Sequence, residues 1–267
     1  MAEAFEWQGR RGICLTASVL GFLVAAEEGL RPITVGRLSL VAVPALAVVW
    51  LMQRWNLGAG GAVYALARML AQLLLVGFFL VHIFAAEGPW LVLGIMGLMM
   101  FTASWIALRT VPERRKDLFG KTLLAVAVGG GGTLAWIAFG VLDLKPWYSP
   151  RYLIPIAGMV FAAALNSVSL AAERLYSELE RKVEPEEARA AAFRAAMIPI
   201  TNALFAVGLV SIPGMMTGQI LSGIAPPAAA RYQIMVMCMI FGSAGLSAGL
   251  FLHLALKEPK DSDVREP

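Results

Sequence analysis

The chain has 267 residues, 59% of them apolar and only 15% charged, with a mean hydropathy of +0.72 and a net charge of +4. Soluble domains run at about 45–50% apolar and about 25% charged, so this composition argues against a soluble enzyme and for a membrane protein. A small basic excess in such a chain reports orientation before it reports a nucleic-acid partner.

A hydrocarbon core of about 30 Å takes about 20 apolar residues in a helix. That ruler gives candidate spans near 12–26, 38–53, 62–84, 88–108, 121–142, 152–172, 200–222 and 232–256. The first is short. Arg10 and Arg11 precede it and Glu27–Glu28 follow, the layout of a signal peptide or signal anchor. Residues 1–32 therefore read as an N-terminal extension with an extra helix or anchor. Residues 33–257 form one all-α transmembrane domain, and 258–267 a cytoplasmic tail. The fold class is an all-α polytopic membrane protein with seven or eight transmembrane helices.

The loops set the orientation. Arg109, Arg114, Arg115, Lys116 and Lys121 crowd one loop, and Arg174, Arg181, Lys182, Arg189 and Arg194 the next but one. Lys257, Lys260 and Arg265 follow the last span, whereas 85–89, 143–151 and 225–231 are poor in cations. Positive loops face the cytoplasm, so 109–121, 173–198 and the tail lie inside, as expected of a bacterial inner-membrane protein. The N-terminus is then inside with eight spans, or outside with seven.

The 173–198 loop holds six acids and five bases between Glu173 and Arg194 and cannot be a span. Leu175, Leu179 and Val183 recur at i+4, which extends span six into water with one apolar stripe. Pro185 opens a second helix with Glu186 and Glu187 in its first turn, where the macrodipole favours acids. Ala188, Ala191, Ala192, Ala195 and Ala196 give that helix a small-residue face, and Pro199 marks the return to the membrane. One reading is a solvated hairpin. The other is a docking helix on which a cytoplasmic partner pushes, with Arg181, Glu186, Glu187, Arg189 and Arg194 as coupling residues.

Span seven departs most from a lipid-facing sequence. VGLVSIPGMMTGQILSG, 207–223, carries Ser211, Pro213, Gly214, Thr217, Gly218, Gln219 and Gly223. Pro213–Gly214 removes a helical donor and loosens the backbone, which is tolerated only where protein or a wet cavity satisfies the freed groups. Pro199, Pro213 and Gly214 are hinge candidates, with Gly218 and Gln219 on the same segment. Within other spans, Arg68 and Gln72 lie one turn apart, and Asn166 with Ser167 and Asn202 with Thr201 add amides and hydroxyls. Polar groups in spans mark pathways or interhelical hydrogen bonds.

No enzyme constellation competes. Gly120-Lys121-Thr122 lacks the Gly five residues upstream that a phosphate loop needs, since position 115 is Arg. The two histidines, His82 and His253, stand alone near span ends, and the two cysteines, Cys14 and Cys238, sit in apolar runs without a CxxC. Thirteen methionines include Met215–Met216 and Met235, Met237 and Met239. Thioethers suit soft ions, which makes Met215 and Met216 metal candidates, although Met also serves as a flexible core filler. The Gly129–Gly132 run reads as a close helix approach.

Three blocks then carry a resemblance: RYLIPIAGMVF at 151–161 followed by AALNSVSLAAERL, AAMIPITNALFAVGLVSIPGMMTGQILSG at 195–223, and RYQIMVMCMIFGSAGLSA at 231–248. Together with ARMLAQLLLVGFFL at 67–80 they resemble the FetB-type permease family of iron-export ABC transporters, which includes a plant aluminium-tolerance permease. The resemblance covers about residues 33–257. It implies a homodimeric permease in the bilayer, worked by a separate cytoplasmic ABC ATPase that binds ATP-Mg, with no cofactor on this chain and iron or a related metal as cargo. Family-pattern positions are Gln72, Gly77, Pro155, Gly158, Met159, Pro199, Gly208, Pro213, Gly214, Met215, Met216, Gly218, Tyr232 and Gln233. The chain departs from the pattern at Ala162–Ala163, where Gly-Asn is expected, and in a shorter cytoplasmic loop. The alternatives are a motor-independent channel or carrier, and ABC export of a nucleotide sugar or another polar organic.

Overall fold

The computed structural model describes residues 33–84 and 88–257. All named elements there are helical: α1 (Val35–Leu40), α2 (Ala42–Arg54), α3 (Ala59–Phe84), α4 (Pro89–Ala107), α5 (Arg115–Ala125), α6 (Gly132–Ala135), α7 (Pro150–Glu180), α8 (Pro185–Ala206), α9 (Gly214–Leu221) and α10 (Pro226–Leu256). Pro89, Pro150, Pro185 and Pro226 each open their helix, where the missing N–H costs nothing and the fixed φ already suits the turn. Six stretches of the described residues are long and apolar enough to cross a bilayer: Gly36–Arg54, Ala59–Gly77, Pro89–Thr110, Pro112–Val141, Pro150–Glu180 and Pro226–Leu256. The expected span at 12–26 and the tail at 258–267 lie outside the described residues.

The chain falls into two compact units divided between Val76 and Gly77. In the first, α1 and α2 meet at Val41 and only Val49 and Ala59 are buried among the described apolar residues. Apolar side chains exposed all round a helix suit lipid contact. Arg68 and Gln72 both lie on α3 in this unit, and Gln72 is exposed.

In the second unit, two 3-10 turns (Leu108–Thr110 and Pro112–Arg114) make an elbow between α4 and α5. The span that follows is irregular. α5 runs into a π-helical turn at Val126–Gly131, then α6, then a second π turn at Trp136–Val141. The π turns widen the helix and re-aim its glycines, so Gly129 and Gly130 are buried while Gly132 is exposed. A Cβ built on Gly129 would lie 2.5 Å from the backbone nitrogen of Ser247, whereas Gly131 and Gly132 face open space. The expected close approach is therefore made by the first half of the glycine run, against α10.

Two apolar clusters hold this unit together. One, at the cation-rich end, joins Leu118, Leu175, Ala188, Ala192, Phe251 and Leu252, with Leu179 and Val183 packed against it. The 173–198 segment is thus more than a solvated hairpin. Its apolar stripe docks onto α10 and α5, and Ala188, Ala192 and Ala196 are buried one turn apart along α8. Small side chains let helices approach closely. The second cluster joins Val126, Leu134, Val160, Phe161, Val236 and Met239.

The turn of the hairpin is locally specified. The Val183 N–H donates to the Glu178 carbonyl (3.2 Å) and the Lys182 N–H to the Leu179 carbonyl (3.0 Å), the paired bonds of a Schellman cap. Lys182 occupies the left-handed position, φ 63°, that usually belongs to glycine. Lys182→Gly is expected to stabilise the protein by about 0.5–1 kcal/mol, because the Cβ strain disappears. A thermal melt in detergent reads this as a small rise in Tm.

Candidate functional site

The expected span at 200–222 is built as two half-helices. α8 runs without interruption through Pro199 and stops at Ala206, and α9 starts at Gly214 with Pro213 as its N-cap residue. Between them the chain closes on itself. The Leu209, Val210 and Ser211 N–H groups all donate to the Ala206 carbonyl (3.3, 2.8 and 3.1 Å), the Val207 N–H to Ala203 (3.0 Å), and the Gly208 N–H to Ser211 (2.9 Å). Gly208 makes this possible with φ +86°, a conformation that side chains with a Cβ avoid. Every N–H from 207 to 211 is thereby satisfied. That is what bilayer depth demands of irregular backbone.

The depth follows from the register. Ser167 Oγ donates to the Ala196 carbonyl (3.4 Å), so α7 and α8 run antiparallel with Ala190 roughly level with the charged Glu173. From Ala190 to Ala206 a helix rises about 24 Å, most of a core of about 30 Å. The break therefore lies at the end of α8 remote from the charged end of the α7–α8 hairpin, and the eight residues of α9 follow it. Among the described residues, six of the expected spans are continuous helices of bilayer length, and the one expected at 200–222 is instead discontinuous.

α9 ends in a Schellman cap at Gly223, φ +90°, with the Ile224 N–H on Gln219 and the Gly223 N–H on Ile220, both 3.0 Å. Thr217 Oγ1 and Ser222 Oγ donate back to the Pro213 and Gly218 carbonyls of their own helix (3.2 and 2.8 Å), so they offer no free donor. Met215 and Met216 are half-buried, and Met215 packs against the second apolar cluster. Gln219 is half-buried and Gly218 exposed. Gln233, on α10, is buried, and its Oε1 has no hydrogen-bond partner.

A cleft of about 180 Å³ opens between α7, α8 and α10, lined by Asn166 and Ser167 on α7, Pro199 and Ala203 on α8, and Ile240 and Ala244 on α10. Pro199 supplies no N–H, so the Ala195 carbonyl loses its helical partner within one turn of this cleft. Asn166 and Asn202 are exposed, and neither amide makes a hydrogen bond among the described residues. Asn202 lies on α8 beside the cleft without lining it. Ala163 lines its wall, which places the departure from the Gly-Asn pattern here, one turn from Asn166.

The coupling candidates gather at the cation-rich end. Arg181, Glu186, Glu187 and Arg194 are exposed, and Arg189 is half-buried in an ion pair with Glu186 of its own helix. Arg174 pairs with Glu178, whose side chain is nearly buried. Among the described residues no three His, Cys, Asp or Glu side chains cluster as metal ligands.

The sequence pattern missed a polar seam in the second unit. Ser243 Oγ donates to the Val160 carbonyl (2.9 Å) and Thr133 Oγ1 to the Gly129 carbonyl (2.6 Å), while the Thr122 and Ser247 hydroxyls are buried without partners. Ser243 and Ser247 stand one turn apart on α10, and that spacing was the only available signal.

Residues 35–259 match the family described as "Uncharacterised protein family (UPF0014)". The chain is 37% identical over 217 residues to the UPF0014 membrane protein slr1647 of Synechocystis, covering 75% of this chain and 84% of that one. It is 34% identical over 210 residues to the probable iron export permease protein FetB of Escherichia coli, covering 73% and 80%. It is also 29% identical over 208 residues to Protein ALUMINUM SENSITIVE 3 of Arabidopsis thaliana, covering 71% and 73%. No solved structure matches. An integral, multi-pass helical chain with these relatives is a permease-type membrane protein, and it belongs to the UPF0014 family.

Proposed function

We propose that the chain is the permease subunit of an ATP-binding-cassette exporter, paired with a second copy of itself and driven by a separate cytoplasmic ATPase that binds ATP-Mg. The cargo is iron or a related metal, the reading favoured by likeness to the probable iron export permease of E. coli. The observation that carries the transport role is the broken span, α8–(207–213)–α9, with the unpaired amides of Asn166 and Asn202 on the flanking surface. Discontinuous helices in transporters sit at substrate sites, and amides inside a bilayer are costly facing lipid. A second copy or a wet pathway covering the α7–α8 face removes that cost.

The α7–α8 hairpin supplies the lever. It is continuous with the broken span and held rigid by its buried alanine face, so a push on Glu187 reaches Ala206 without an intervening joint. Glu187 has no ion-pair partner among the described residues, which makes it a cleaner probe than Arg189.

The test is reconstitution of the permease with its ATPase in inverted vesicles, with ATP and iron, other metals or nucleotide sugars supplied outside in parallel and uptake into the lumen measured. Glu187→Lys with Arg189→Glu is expected to abolish substrate-stimulated ATP hydrolysis while the folded permease is retained. Unchanged stimulation removes the hairpin from the coupling path. Transport that continues without the ATPase establishes a motor-free carrier instead.

A further inference from the structure

We propose that the elbow between α4 and α5 is a binding site for the headgroup of an anionic phospholipid on the cation-rich side of the membrane. This surface is distinct from the broken span and plays no part in the transport reading. Arg115 lies with its guanidinium 3.8 Å over the Trp105 ring and donates from Nη2 to the Trp105 carbonyl at 2.6 Å. That carbonyl belongs to the last turn of α4, where a cation is favoured by the helix dipole. Its Nε is buried without a partner, so the ring and one carbonyl fix the group.

The ring beneath it continues as an aromatic ladder. Trp105 meets Phe119 edge-on at 5.7 Å, and Phe119 meets Phe101 edge-on at 5.1 Å. Trp105 and Phe101 remain about half exposed, on the side of α4 that carries Leu98, also exposed. One end of this surface is thus apolar and aromatic, one turn or more inside the membrane. The other end is ionic. The five cations and two acids between 109 and 121 leave a local charge of +3. Arg109 and Lys116 are exposed and have no ion-pair partner among the described residues.

A phosphodiester carrying net negative charge matches the ionic end, and its acyl chains match the ladder. Tryptophan at the headgroup level and clustered Lys/Arg beside a span are the two elements such a lipid recognises. A zwitterionic lipid gains the apolar contact but not the charge. The arrangement therefore predicts selectivity for headgroup charge.

The full-length permease in nanodiscs tests this, with phosphatidylcholine as host and brominated phosphatidylglycerol or brominated phosphatidylcholine as guest. Quenching of Trp105 is read as the part of the fluorescence lost in Trp105→Phe. Each unpaired cation near the surface contributes on the order of a fivefold preference for the anionic guest. The preference should fall toward one in Arg109→Gln/Lys116→Gln, which removes no contact within the fold. Arg115→Gln should reduce it further. Excess inorganic phosphate should leave it unchanged. Equal quenching by the two guests, or a preference untouched by the double variant, overturns the proposal. Loss of the preference in inorganic phosphate reassigns the site to a soluble anion. Cross-linking of Lys116 to a co-purified ATPase in place of lipid selectivity makes the elbow a protein interface; either outcome also overturns the proposal.

Discussion

Gly129→Ala is expected to be the most destabilising single-methyl change in the glycine run, and Gly131→Ala and Gly132→Ala, two and three residues away, to be stabilising. A Cβ on Gly129 would sit 2.5 Å from Ser247 N, 2.5 Å from its Oγ and 2.7 Å from its Cα. Two of those three atoms are backbone, so no rotamer change relieves the contact and α10 must move away from the π turn. Overpacking of this kind costs about 1–3 kcal/mol, and a backbone-to-backbone clash belongs at the upper end. For a chain of this size about 3 kcal/mol lowers Tm by roughly 6–12 °C.

The neighbours supply internal controls. At Gly130 the nearest atoms to a new Cβ are Phe161 Cδ1 and Val160 Cγ1, both at 3.4 Å, which a small shift accommodates. At Gly131 and Gly132 nothing lies within 4 Å, so alanine only restricts the unfolded chain and gains about 0.5–1 kcal/mol. Thermal unfolding followed by size-exclusion in detergent ranks the four variants. Ser247→Gly should not rescue Gly129→Ala, because the offending N and Cα remain. Equal Tm values across the four positions would show that α10 does not approach the chain at Gly129.

This ranking also shows where sequence reasoning stops. The apolar runs located the spans from residue 33 onward, because length and the absence of charge are properties of a single segment. Pro185 with Glu186–Glu187 opened α8 where expected, because start signals are local, and Pro213–Gly214, read as a hinge within one span, stands instead at the start of a separate helix, α9. The break itself lies upstream of the proline, where Gly208 turns the chain and Ala206 collects three N–H groups. A pattern of residue types gives the presence of a break and not its first residue.

The π turns were not legible either. The first lies where Gly129 meets Ser247, more than a hundred residues away, and no local periodicity encodes that pairing. The same holds for the α7–α8–α10 cleft, whose walls come from three separate helices, and for Arg115 lying on Trp105 across the elbow. The i+4 stripe and the alanine face of 173–198 were legible, but not the helices they bury against, since the partners of Leu175, Ala188 and Ala192 lie on α5 and α10. Gln72 stands on α3 in the first unit, and Asn166, Asn202 and Gln233 stand in the second.

The largest functional effect is expected from Gly208→Ala combined with Pro213→Ala, which should leave a folded permease with little substrate-stimulated ATP hydrolysis. Gly208 holds φ +86° with no atom within 4 Å of a would-be Cβ, so alanine there meets no clash and only the backbone conformation is penalised. That penalty is roughly 1–2 kcal/mol for a left-handed L-residue. Pro213→Ala restores an N–H that a continuous helix can use, removing the obstacle to joining α8 and α9. Both changes act in one direction, toward a straight span through 207–213. A shift of 1–2 kcal/mol changes the ratio of broken to straight conformers by roughly 5–30-fold. If movement of the broken span couples the ATPase to the pathway, substrate-stimulated turnover falls in proportion, while basal hydrolysis holds and Tm falls by no more than roughly 2–8 °C. Hydrogen exchange at 207–211 separates the causes: the straightened variant should protect these amides more strongly than the wild type. Full coupling in a variant with such protection would show that transport does not use the break, and slowed exchange is required before a loss of coupling is credited to it.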